Sequence, residues 1–160
     1  MKSSSELRKL LAQKTWDKEV AIWVGSLASL QDLISGSGQT IDVKQIDLLD
    51  LISEHSIPDS DEELGRTLKG QLRSELQKQR SSSTDRRILL VQSTALLSRY
   101  DVGLKEFFDW FVGDHAMVIL LLDGIPSSTK PLPLEIEIRP KGLIEKLNHP
   151  DLAKNAFIAS

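Results

Sequence analysis

Hydrophobic residues in this chain fall into two alternating patterns, short uninterrupted runs and stripes spaced three or four apart. The runs Arg86–Gln92 and Ala116–Leu122 lack the polar alternation of a half-exposed strand. Their length suits strands covered on both faces, as in a parallel sheet between helices. Val20–Val24 is a shorter run of the same kind, and Thr40–Ile46 reads as a further strand. Between the runs lie helical stripes: Leu7, Leu10 and Leu11; Leu27, Leu30, Leu33 and Ile34; Leu48, Leu49, Leu51 and Ile52. Each is preceded by a residue suited to capping, Ser3 to Ser5, Ser26 and Asp47 respectively.

Ser60-Asp61-Glu62-Glu63 is a Ser-x-x-Glu capping box, and it opens a long polar helix to about Gln79. Its apolar positions, Leu64, Leu68, Leu72 and Leu76, form one thin line, so the spacing predicts an outer, weakly held helix. Gly65 and Gly70 weaken it further, by about 1 kcal/mol each relative to alanine. A helix from Val102 to Val112 presents Leu104, Phe107, Phe108, Phe111 and Val112, with Trp110 on a neighbouring face. Ile125–Pro133 contains three prolines and predicts a surface loop. Leu134–Arg139 alternates cleanly, as an edge strand with one wet face does.

Strands beginning near residues 20, 40, 86, 116 and 134, separated by helices, predict an α/β domain of three layers. Its sheet is five-stranded and mostly parallel, with helices on both faces. A single domain spans 1–147, and 148–160 forms a loosely held tail. Ligands in such sheets bind beyond the carboxyl ends of the strands, which directs attention to Gly25-Ser26, Gln92-Ser93-Thr94 and Asp123-Gly124.

A P-loop nucleoside triphosphatase needs Gly-x-x-x-x-Gly-Lys-Ser/Thr after its first strand, because backbone amides wrap the phosphates and the lysine reaches the β and γ oxygens. Here the stretch is Gly25-Ser26-Leu27-Ala28-Ser29-Leu30-Gln31, without the second glycine or the lysine. The magnesium-holding acid of that class is also missing, since Ile88–Val91 runs into Gln92 and Ser93. The pattern therefore predicts a degenerate P-loop-like fold and no hydrolysis. Gly25 alone does not make a dinucleotide fingerprint either. Asp123 before Gly124 reads as a turn, and Asp47 with Asp50 as helix capping. His55, His115 and His149 stand apart from one another, which predicts no metal site.

Composition narrows the picture. The chain has 160 residues, no cysteine and a formal charge of −3, which excludes disulfide and thiolate chemistry and gives no global pull towards nucleic acid. The longest apolar run falls far short of the ~20 residues that span a bilayer, so a soluble protein is expected, and the lack of cysteine suits a reducing cytosol. Arg66, Lys69, Arg73, Lys78, Arg80, Arg86 and Arg87 are the only basis for direct DNA contact.

Three segments resemble the small accessory proteins of bacterial phage-exclusion (BREX) systems, the BrxB and BrxF kind. They are Ile46–Ile52, Ile88–Ser93 leading through Tyr100 to Leu104, and Val118–Gly124. The resemblance implies a cytoplasmic, non-catalytic subunit of a multiprotein anti-phage assembly; no cofactor is expected. The expected function is thus a protein-interaction module, with Leu134, Ile136 and Ile138 as the partner-binding strand. The alternative is a nucleotide- or anion-binding protein that holds its ligand at Gly25, Ser26 and Ser29, where a helix start favours anions.

Overall fold

A computed structural model describes residues 2–13, 16, 19–53, 60–79, 86–94, 96–97, 100, 102, 106–107, 110, 116–122, 125–126, 136–137 and 156–158. The elements are β1 (Lys2–Ser3), α1 (Ser4–Leu11), β2 (Glu19–Val24), α2 (Leu27–Ser35), β3 (Ile41–Asp47), α3 (Leu48–Ser53) and α4 (Asp61–Gln79). They continue with β4 (Arg86–Gln92), β5 (Ala116–Leu122), β6 (Ile125–Pro126), β7 (Ile136–Glu137) and β8 (Ala156–Ile158).

The molecule is α/β. Four long strands lie side by side in the order β2-β5-β4-β3, all parallel, and the short β8 and β1 extend the sheet beyond β2. From β2 the chain crosses to the far edge at β3, then returns through β4 to β5. Right-handed crossovers in opposite directions must put their helices on opposite faces. Accordingly, Leu30, Leu33 and Ile34 of α2 join α1 in one apolar layer, and Leu48 of α3 with Leu68, Leu72 and Leu76 of α4 joins the other. Successive side chains of a strand face opposite ways, so each run feeds both layers. Val20, Ile22 and Val24 point to the α4 side, whereas Ala21 and Trp23 point to the α2 side. That double burial is why the runs carry no polar alternation.

Two expectations are corrected. Among the described residues of the alternating segment, Ile136–Glu137 does not join the main sheet and instead pairs antiparallel with Ile125–Pro126 in a separate two-stranded ladder. Period-two alternation identifies a strand with a wet face but not its neighbour, and here the neighbour is local. Pro126 is tolerated there because a two-residue ladder asks for few backbone donors. Nor is 148–160 only a loose tail, because Ala156–Ile158 sits between β1 and β2 and Phe157 is buried. The Lys2 ammonium lies 5.6 Å from the centre of the Phe157 ring.

The long helix is held more firmly than its thin stripe suggests. Leu68 and Leu72 are fully buried, and Gly65 lets the helix run against the backbone of Tyr100, where a Cβ would overlap the carbonyl oxygen. Arg73 forks onto Glu106, with Nε and Nη2 donating to the two carboxylate oxygens at 3.3 and 3.1 Å. That hydrogen bond, with the attraction of the carboxylate charge, raises the Arg73 pKa.

Candidate functional site

Because the long strands are parallel, Val24, Asp47, Gln92 and Leu122 all end at one edge of the sheet. β2 sends its crossover towards β3, and the chain after β5 reaches β8 on the other side of β2, so the crevice where neighbouring strands diverge lies at the ends of β2 and β5. Gly25 leaves β2 with φ 157°, and its N–H donates to the Leu122 carbonyl at 3.2 Å, which ties the first turn to β5.

Ser26 caps α2. Its Oγ accepts the Ser29 amide at 3.2 Å and donates to the Ser29 hydroxyl at 3.0 Å, while that hydroxyl donates to the Ser26 carbonyl at 2.8 Å. The Trp23 indole N–H donates to the same carbonyl at 3.1 Å. Gly25, Ser26 and Ser29 lie together at the start of α2, and the two hydroxyls bond each other within the cap. Their polarity serves to start a helix after a buried strand.

The next two strand ends are tied in the same way. The Asp47 carboxylate accepts the Leu49 amide at 3.0 Å, as a helix cap does, and the Ser93 hydroxyl at 2.5 Å. Ser93 has φ 58°, a left-handed conformation uncommon for a residue with a side chain. The buried Thr94 hydroxyl donates to the Leu121 carbonyl at 2.9 Å and so links β4 to β5. Asp47 was legible as a cap, but its bond to Ser93, 46 residues away, depends on β3 and β4 lying in register and has no local sequence signal.

Among the described residues no group of three or more metal-binding side chains forms. Asp123, His55, His115 and His149 lie outside the described residues, as do Leu134 and Ile138 of the expected partner strand. Ile136 lies opposite Pro126 in the small ladder. Most of the described basic residues have partners within the chain. Arg66 pairs with Glu62, Lys78 with Glu75 and Arg87 with Asp42, while Arg86 donates to the Leu11 carbonyl and lies over the Trp16 ring. Arg80 is outside the described residues.

A cavity of about 430 Å³ opens beside the amino-terminal half of α4, between Asp61, Glu62, Arg66 and Lys69 on one side and Tyr100 and Val102 on the other. Two acids and two bases on one rim give it no net preference for the sign of a ligand's charge. No described helix is long and apolar enough to cross a membrane. Compared with models of protein families, with curated proteins and with solved structures, the chain matches none.

Proposed function

We propose that this chain is a non-enzymatic protein-interaction subunit of a cytoplasmic multiprotein assembly, built on a degenerate P-loop-like fold. The observation that carries the proposal is the closed bonding of the carboxyl edge. Ser26 bonds Ser29, Ser93 bonds Asp47 and Thr94 bonds the Leu121 carbonyl. Hydroxyls used in this way are the ones a phosphate or a magnesium shell would otherwise need. The strand order supports the P-loop-like part. The strand that runs into Gly25-Ser26 and the strand that runs into Gln92-Ser93 flank β5, so phosphate and metal chemistry, had the residues been present, would meet over one crevice. The resemblance to phage-exclusion accessory proteins suggests the kind of assembly, a bacterial anti-phage defence complex.

Calorimetric titration with ATP and with GTP, each with magnesium, tests the proposal. No saturable heat is expected. A micromolar affinity that weakens when Gly25 or Ser26 is changed would overturn it in favour of an anion-binding protein.

A further inference from the structure

The outermost long strand, β3, pairs only with β4 among the described residues, and it leaves seven residues, Ile41-Asp42-Val43-Lys44-Gln45-Ile46-Asp47, along the edge of a parallel sheet. Sheet edges of this length recruit another strand unless something blunts them. The strand contains no proline, and Lys44 and Gln45 are exposed, while Ile41 and Val43 are only partly buried against the α2-side layer.

We propose that this edge is a self-association surface, where a second copy of the chain pairs antiparallel through its own β3 about a two-fold axis at Val43. The charges select both the occupant and the register. A two-fold perpendicular to the sheet keeps each face continuous across the junction, so a residue can lie opposite only one of the same parity. With Asp42 on the axis, two carboxylates face each other; with Lys44 on the axis, two ammonium groups do. With Val43 on the axis, Val43 meets Val43, Asp42 meets Lys44 and Lys44 meets Asp42, so both charges are matched twice. Within one chain the Lys44 ammonium already lies 3.9 Å from Asp42, at side-chain exposures of 48% and 41%, so both groups are accessible to a partner. Ile41 then falls opposite Gln45, and the half-covered Val43 side chains close over each other. The inference goes beyond the proposed function and does not depend on whether any nucleotide binds.

Sedimentation equilibrium of the intact chain should give twice the 17.9 kDa monomer mass. Lys44→Glu sets glutamate opposite Asp42 and should yield monomer; Asp42→Lys sets lysine opposite Lys44 and should do the same. Mixing the two folded variants should restore a mixed dimer, because each then supplies the charge the other lacks. Asp42 also touches Arg87 at 3.6 Å, so the folding of its variant is checked by circular dichroism. Should that variant not fold, Val43→Cys provides the second test. In a chain with no other cysteine it should form a disulfide-linked dimer under mild oxidation, and Gln45→Cys should not. A wild-type monomer at every concentration reached overturns the proposal and leaves the edge to an extended segment of a different protein. A dimer unaffected by Lys44→Glu, or equal crosslinking at positions 43 and 45, overturns it as well.

Discussion

Gly65 and Gly70 look alike in the sequence and do opposite things in the fold. At Gly70 nothing lies within 4 Å of where a Cβ would be, so Gly70→Ala should raise stability by about 0.5–1 kcal/mol through the lost backbone entropy of the unfolded chain. At Gly65 the obstacle is the Tyr100 backbone, which cannot rotate away as a side chain can, and Gly65→Ala should cost about 1–3 kcal/mol. Urea midpoints of the two variants should move in opposite directions, and equal shifts would show that the helix does not run against Tyr100. Asp47 joins two roles, cap of α3 and acceptor for Ser93. Removing the cap alone costs about 0.5–2 kcal/mol, so Asp47→Ala should reach at least that range. Losses for Asp47→Ala and Ser93→Ala that simply add in the double variant would argue against their direct bond.

At the scale of elements, the strands covered on both faces were legible and the peripheral ones were not. β2, β4 and β5 are continuous apolar runs because each feeds two layers, and that pattern is written locally. β8 carries only Ala156, Phe157 and Ile158, too short for any period to register, and its place depends on the bare edge of β2. The 134–139 alternation did mark a strand at Ile136–Glu137, but its partner was set by a nearby antiparallel return. For α4, a thin stripe suggested weak anchoring, yet three of its four leucines are buried and Arg73 adds a fork to Glu106. The inward approach at Gly65 could not be read from spacing. If β8 belongs to the sheet, Phe157→Ala should cost about 3–5 kcal/mol, the range for an aromatic lost from a core. A thermal midpoint that does not move would return residues 156–158 to the status of a tail.

On the scale of the whole molecule, strand order decides what can meet. Placing β5 between β2 and β4 gathers Gly25, Ser26, Ser93 and Thr94 at one edge, and the sequence alone named each of these turns without showing how they bond. If the proposed function holds, this edge is closed by its own hydrogen bonds. Amide nitrogen-proton correlation spectra, titrated with magnesium and ATP, test it residue by residue. The resonances of Gly25, Ser26, Ser29 and Ser93 are expected to stay in place up to saturating nucleotide. Saturable shifts clustered on those four residues would contradict it.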